Sequence, residues 1–514
     1  MVTKYFLLPQ TQLFVRWIAI GAISLAASIL QAKSPMALMA AVEQAVTPPA
    51  IYLASTTPFS PLLTQCNELV ELFDGSRSAV EAMCQRIAGA RQELLLQFYE
   101  WDDDDASGQQ VNEALRMRIM QAWNAPLGRP LLIRILINKT WPEEHRPHWA
   151  SLEALVESVG AHPASEGRVH MEVATYGGAA LSVLHSKSML VDRKEALLFT
   201  GNLRTLGGLD TDNYNMGAAL RGPVVRVLRD DWWTARSRSR LRRQAPYLSG
   251  PSTGQEDEQS NELEPRPVCE IGEPLLGAAV LARQSQWNFR NRGDANPQNR
   301  GVLALIKAAD QQIDILNPIL NVRPIMDALV EAILDRGVRV NLLVSLNMDR
   351  WAQHMFMGGD NAESAYALYQ ALLKAGGEAA ANRLDIRFAS AGTGFPAPPN
   401  TSANVHAKAA SFDHNALLIG SMNLDWQSWN NSRELNVALF GASAVKHWQD
   451  KIYSRLFRLG SPIRPDDLPN RRRRRTDPVF KYLVQRAAKR TPRTWSLDDA
   501  RPPTYAFAHA PQKQ

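Results

Sequence analysis

At 514 residues the chain is long enough for two domains, and a hydrophobic content of 45% suits a globular protein. The formal charge of +6 is modest overall but unevenly placed. Three scattered cysteines, Cys66, Cys84 and Cys269, exclude a disulfide framework or a cysteine-rich zinc site; at most one disulfide forms and one thiol is left over.

Residues 1–32 read as a targeting segment. Lys4 and Arg16 precede an apolar run from Trp17 to Leu30, and small residues such as Ala32 and Ala40 follow. A run of about fourteen fits a signal-peptide core, whereas a spanning helix needs roughly 20 residues. An uncleaved anchor, extended by Leu13 to Val15, is the other reading. Both imply an exported or membrane-associated protein, on the periplasmic face of a bacterial inner membrane or in the periplasm.

A first domain is expected over 66–247. Ala79 to Gln92 reads as a helix and Leu94 to Tyr99 as a buried strand. The acidic run Asp102 to Asp105 reads as a solvated loop at that strand's end. Gln109 to Trp123 is helical, Leu131 to Asn138 a strand, Ser151 to Val159 a helix, and Val169 to Tyr176 a third strand. Arg236 to Arg243 closes this domain. Residues 248–300 read as a linker, since Ser249 to Pro267 is rich in Gly, Pro, Ser, Gln and acids.

The second domain, 301–460, replays the order. Helices at Val302 to Ala309, Ile325 to Arg336 and Ala362 to Ala375 alternate with strands at Ile313 to Pro318, Gly337 to Val344 and Leu384 to Ser390. Strands alternating with helices indicate an α/β sandwich. Beyond it, 461–514 is a basic tail with five consecutive arginines, Arg471 to Arg475. Such a run favours an anionic membrane surface or nucleic acid.

The two domains share one motif. HSKSMLVD runs from His185 to Asp192, and HAKAASFD from His406 to Asp413. Each continues through an apolar segment to a hydroxyl and an amide, Thr200 and Asn202 in the first, Ser421 and Asn423 in the second. All five matched positions are separated by 221 residues, as in 406 − 185 and 423 − 202. Two copies in one register mark an internal duplication that kept its polar positions.

Histidine and lysine two apart lie on one face of a strand. A tight turn at Arg193–Lys194, and another at His414–Asn415, would fold a return strand back on each motif. That pairing sets Asn202 opposite His185 and Thr200 opposite Lys187, with Asn423 and Ser421 likewise opposite His406 and Lys408. Two such patches facing each other make a phosphate pocket. Lysines supply charge, amides and hydroxyls supply donors, and two imidazoles supply chemistry. Zinc held by the two histidines is disfavoured, because each has a lysine beside it and no carboxylate or thiolate cluster accompanies them. No metal or other cofactor is implied.

These residues resemble the phospholipase D superfamily, whose signature is a duplicated HxKx4D followed by a Gly/Ser/Asn strand. The stretch Gly420 to Phe440 is most similar to the cardiolipin synthase and bacterial phosphatidyltransferase branch. The resemblance implies two duplicated α/β sandwich domains related by a pseudo-twofold, with one shared active site. Its catalytic set would be His185, Lys187, Asp192, His406, Lys408 and Asp413, and Thr200, Asn202, Ser421 and Asn423 would bind the substrate phosphate. One histidine, by resemblance His185, would be the nucleophile and the other the general acid. Glu434 matches an acidic position that orients a motif histidine, here expected to be His406. The first half departs from the pattern: Phe199 replaces the glycine equivalent to Gly420, and Asn213 stands at the offset of Glu434. Asp212, one residue earlier, would then orient the other histidine in its place. The implied activity is phosphatidyl transfer or phospholipid hydrolysis through a phosphohistidine, with a phospholipid substrate at an anionic membrane. An exported nuclease acting on nucleic acid and a non-catalytic membrane-binding protein are the alternatives. Trp426 and Trp429, just after the second motif, favour lipid.

Overall fold

The computed structural model describes residues 32–46, 62–139, 150–177, 183–203, 213–245, 276–285, 296–345, 360–389 and 404–463. The apolar leader, Asp212, most of the 248–300 stretch and the arginine run lie outside the described residues. The chain opens with helix α1 (Pro35–Val46). The first half then runs β1 (Leu63–Asp74), α2 (Ser76–Gly89), β2 (Glu93–Phe98), α3 (Ala106–Trp123), β3 (Leu131–Asn138), α4 (Ala150–Ala161) and β4 (Val169–Tyr176). The motif hairpin follows as β5 (Ser188–Val191) and β6 (Glu195–Phe199), then β7 (Asn213–Tyr214), β8 (Met216–Arg221), α5 (Val224–Ser237) and β9 (Ser239–Ala245).

The second half repeats this with β10 (Leu276–Arg283), α6 (Pro297–Ala308), β11 (Gln312–Leu316), α7 (Arg323–Arg336), β12 (Arg339–Ser345), α8 (Asn361–Ala381) and β13 (Leu384–Ala389). It continues through β14 (Asn404–Val405), β15 (Ala409–Phe412), β16 (Ala416–Gly420), α9 (Trp426–Asn430), β17 (Glu434–Phe440), α10 (Ala442–Trp448), α11 (Ser454–Leu459) and β18 (Ser461–Ile463).

Sixteen of these strands form one sheet. Its centre is the antiparallel pair of β1 and β10, with Leu63 opposite Ala279. Read outward from that pair, one side runs β1-β8-β6-β5-β2-β3-β4-β9 and the other β10-β17-β16-β15-β11-β12-β13-β18. The two orders match strand for strand, so the duplication extends through the whole fold. In each half the first three strands of the αβ repeat are parallel, as β2 to β3 and β3 to β4 show. The motif strand joins them antiparallel. Parallel strands demand crossover helices, which is why apolar runs alternate with helical ones in the sequence.

Three cores result. One lies under α2, α3 and α4, and a second under α1, α6, α7 and α8. The third is shared: Trp232 of α5 and Trp448 of α10 are both fully buried in it, with residues from β8, β10, β15 and β17. A common core holds the halves in fixed relation, which a site built from both requires.

Two expectations are corrected, on the linker and on the acidic run, and one further helix joins the fold. Strand β10 and the start of α6 fall inside the stretch read as a linker, because an acid- and proline-rich flank masked the short apolar run LGAAVLAR. Helix α1 is part of the folded second half: Leu38, Met39, Val42 and Val46 are buried in its core, and the Lys33 backbone N–H donates to Asp413 Oδ2 at 2.9 Å. The acidic run is not a solvated loop. Asp105 caps α3 by accepting from Ser107 N at 2.8 Å, and Asp103 accepts from Asn112 Nδ2 and Ser151 N. Capping of this kind contributes about 1 kcal/mol. Cys66 is disulfide-bonded, whereas Cys84 is a free thiol pushed up to about 11 by burial. Among the described residues, no helix is long and apolar enough to cross a membrane.

Candidate active site

Each motif histidine enters the site on an extended segment that the opposite half holds by its backbone. His185 N donates to Arg433 O at 2.8 Å, and Arg433 N donates to Val183 O at 2.8 Å. The second half mirrors this: His406 N donates to Tyr214 O at 2.8 Å, and β14 pairs in parallel with β7. The buried Arg433 guanidinium adds a clasp, bonding Asp231 of α5 and reaching Gln284 Oε1 at 2.5 Å. The two histidines are therefore set by the interface, not by either half alone.

The side-chain partners cross the interface too. His185 Nδ1 lies 2.9 and 3.0 Å from the two oxygens of Glu434. Glu434 is fully buried and also accepts from Ser421 Oγ at 2.5 Å and Ser428 Oγ at 2.7 Å. His406 Nδ1 lies 2.8 Å from Asn215 Oδ1. The expectation for Glu434 is corrected: it orients His185 rather than His406, and in the first half Asn215 takes the matching place, while Asp212 lies outside the described residues. The sheet register gives the reason. Gly420 pairs with Asn436 and Phe199 with Gly217, so beyond the motif the offset is 436 − 217 = 219. The first-half connection is two residues longer. That same pair of contacts explains the missing glycine. A Cβ at Gly420 would lie 2.4 Å from Leu435 O and 2.5 Å from Asn436 Oδ1, while in the first half Gly217 makes the room that Phe199 needs.

The lysines converge on the same place. Lys187 Nζ donates to His185 O at 2.5 Å and sits 5.5 Å from the Tyr99 ring centroid. Lys408 Nζ donates to His406 O at 2.5 Å and, across the interface, to Thr200 O at 3.2 Å. Tyr99 also packs edge-on against the His185 ring, with centroids 5.3 Å apart. Burial, then the charges of Lys187 and Lys408, hold the His185 imidazole well below its usual range. His406 is lowered likewise by burial, Lys408, Lys187 and His185. Both rings are neutral near pH 7, and each uses Nδ1 on its partner, which leaves Nε2 for substrate. Burial raises Glu434 to about 7 against the pull of Lys187 and the two serine hydroxyls, and raises Asp425 to about 6. Lys187 is lowered to about 8 by burial, against the pull of Glu434 and Glu100.

Two of the four expected phosphate-binding residues, Thr200 and Ser421, have their hydroxyl protons committed elsewhere. The return strand pairs one residue out of the expected register, with Ser188 opposite Leu198 and Ala409 opposite Ile419. Each turn has three residues, and its first two are left-handed: Asp192 and Arg193 at φ 51° and 60°, Asp413 and His414 at 50° and 58°. A one-residue slip turns side chains to the other face. The Thr200 hydroxyl accordingly bonds Met216 N and O at 2.9 and 3.0 Å, and Ser421 accepts from Leu435 N while donating to Glu434. These hydroxyls position strands and the carboxylate instead of binding phosphate. Asn202 and Asn423 direct Nδ2 to Glu100 at 2.9 Å and Asp425 at 3.4 Å, each with a buried Oδ1 that has no partner among the described residues.

Asp192 and Asp413 spend their carboxylates on backbone N–H groups. Asp192 accepts from the backbone of Arg91, Gln92 and Glu93, and Asp413 from that of Lys33, Asp310, Gln311 and Gln312. Each lies some 16 Å along an extended chain from its lysine. Replacing Asp413 by alanine strands several partly buried N–H groups, so chemical denaturation should show a loss of about 3 kcal/mol. Asp192→Ala should cost less, since its carboxylate is more exposed. Per folded molecule, turnover should survive in both.

Residues outside the sequence expectation are Tyr99, Glu100, Asn215, Asp425 and Ser428. Among the described residues, no group of three or more His, Cys, Asp or Glu side chains could hold a metal.

The arrangement defines a phosphodiester-cleaving enzyme of the phospholipase D type. Residues 302–456 match the family model described as cardiolipin synthase, PLD-like domain. Among solved structures, phosphatidylserine synthase from Haemophilus influenzae Rd KW20 is similar at 14% identity and a TM-score of 0.53, covering 81% of this chain and 92% of that one. The phospholipase D family member Nuc from Salmonella typhimurium matches 34% of this chain and 99% of its own at 12% identity and a TM-score of 0.27. NucT from Helicobacter pylori matches 35% of this chain and 99% of its own at 12% identity and a TM-score of 0.25. A search of curated protein sequences returns no match. The second half is thus similar to the phospholipase D-like family, and the fold over most of the chain is shared with a phosphatidylserine synthase.

Proposed function

We propose that this protein transfers or hydrolyses phosphatidyl groups through a phosphohistidine, as a cardiolipin synthase-like enzyme. The observation that carries it is the pairing of His185 Nδ1 with Glu434 inside a site that also holds His406 and two ammonium groups. His185 Nε2 attacks phosphorus, and Glu434 stabilises the positive charge that develops on the ring. Lys187 and Lys408 hold the phosphoryl oxygens as negative charge grows on them. Binding the anionic phosphate offsets the lysine charges around His406, so His406 Nε2 carries a proton and delivers it to the leaving alkoxide as the P–O bond breaks. His406, now neutral, takes a proton from water or an acceptor alcohol, whose oxygen attacks phosphorus and frees His185.

The lipid assignment rests on the description of the second-half family model and on the fold shared with phosphatidylserine synthase over most of both chains. The Cys66 disulfide fits export to an oxidising compartment, in keeping with the leader-like start and a tail suited to anionic lipid. The deciding assay incubates the protein with phosphatidylglycerol vesicles, with and without added glycerol or ethanol, and follows lipid products. Transfer products or phosphatidic acid support the reading. Cleavage of single-stranded DNA with inert lipid would assign the site to nucleic acid instead.

A further inference from the structure

The two histidines occupy matching places in the duplicated fold, yet their Nδ1 partners differ in kind. His185 faces a carboxylate, while His406 faces the amide of Asn215, which is 1% exposed. The amide's orientation is fixed by its other end: Asn215 Nδ2 donates to the carbonyl of Asn213 at 3.3 Å and to Ser76 Oγ at 3.1 Å. A peptide carbonyl only accepts, so Oδ1 must face the ring, and His406 must carry its hydrogen on Nδ1. The lone pair or exchangeable proton is then always on Nε2.

The charges that act on the His406 ring are ammonium groups: Lys408 acts from its own motif and Lys187 from the first half. Glu434 and Asp425 act on Lys408, and Glu434 is bonded to His185, so neither serves His406 as a hydrogen-bonding carboxylate. The segment carrying Asn215 is itself braced. Tyr214 receives the His406 backbone N–H, and its hydroxyl donates to Asp74, which Arg455 grips at 2.8 Å through both oxygens.

We propose that Asn215 is the positioning residue that divides labour between the two histidines, holding His406 as a neutral proton shuttle while Glu434 holds His185 as nucleophile. A carboxylate at 215 would stabilise the His406 imidazolium and slow its return of the proton. A neutral amide orients the ring equally well and leaves its protonation to the substrate's own charge. This rests on the phosphohistidine reading above and adds to it the reason the roles are not interchangeable.

The test uses Asn215→Asp and Asn215→Ala in the full chain. Titrating His406 by NMR on histidine-labelled protein should show its pKa at least one unit higher in Asn215→Asp than in wild type, because an opposite charge at hydrogen-bond distance shifts a group by about 1–3 units. The alkaline limb of kcat/KM should move up with it. In Asn215→Ala, kcat for a diester with a poorly departing alkoxide should fall by about 10²–10⁴, and the loss should shrink sharply with a nitrophenyl leaving group that needs no proton. Equal losses for both leaving groups would make Asn215 a merely structural residue. An unmoved His406 titration in Asn215→Asp would overturn the contact itself, whatever substrate the enzyme takes.

Discussion

His185→Ala should abolish turnover, with a loss on the order of 10⁵ in kcat, as expected when the nucleophile of a covalent mechanism is removed. The geometry makes the result asymmetric. Glu434 accepts from the Nδ1 of His185, and that carboxylate is the group able to balance the positive charge of a phosphorylated imidazole. Asn215 offers His406 no such balance. In His406→Ala, a diester with a nitrophenyl leaving group should still phosphorylate His185, since that group departs without a proton. The adduct should then persist, because the base that activates the acceptor is missing. Denaturing, alkaline quench of the reaction with phosphorus-labelled substrate, followed by peptide mapping, should place label on the peptide containing His185. The amount should be larger in His406→Ala than in wild type. Label on the peptide with His406 would reverse the roles, and no label with inversion at phosphorus would end the covalent route.

How much of this was legible in the sequence depends on which residues sat in register. The 221-residue offset holds from His185 to Asn202 and from His406 to Asn423, so the duplication, the shared site and its four cationic or imidazole groups could be read directly. Beyond Asn202 the register breaks. From Asn202 to Asn215 is 13 positions, while from Asn423 to Glu434 is 11. A constant offset therefore pointed to Asn213 and its neighbour Asp212, two residues short of the side chain that meets His406. A gapped comparison anchored on the Phe199/Gly217 and Gly420/Asn436 exchange would have found it. The cross-half exchange of partners was beyond any local pattern, because strand pairing within one half says nothing of which histidine the other half's carboxylate reaches.

Asp192 and Asp413 teach a different lesson. They travel with the motif because a turn with two left-handed residues is costly, and a carboxylate that ties the turn to three or more backbone N–H groups offsets it. Their distance along the strand already placed them at the far end from the lysines. A motif can thus mix chemistry and scaffolding at fixed spacing, and the alternation and rise of a strand separate the two.

Lys187→Ala should lower kcat/KM by about 10²–10³, the cost of removing one well-placed donor to a developing oxyanion, and should do more harm than Lys408→Ala. An ammonium has three N–H donors. Among the described residues Lys187 spends one on His185 O, whereas Lys408 spends one on His406 O and another on Thr200 O. Burial lowers Lys187 to about 8, and burial with the charge of Lys187 also lowers Lys408. Phosphate binding in the wild type should accordingly weaken as pH rises through about 8, where Lys187 loses its proton. The acid side carries a second signature. Both lysines depress the His185 imidazole, so removing Lys408 should raise its pKa. The nucleophile must be neutral, and the acid limb of kcat/KM in Lys408→Ala should therefore shift to higher pH. Lys408→Arg, which keeps the charge, should leave that limb where it is while still losing rate through its altered reach to Thr200 O. Rate profiles from pH 5 to 9 on a soluble diester, with circular dichroism to confirm folding, measure all three. An acid limb unmoved in Lys408→Ala would mean that Lys408 does not share a pocket with His185, and with it the single site built from two halves would fall.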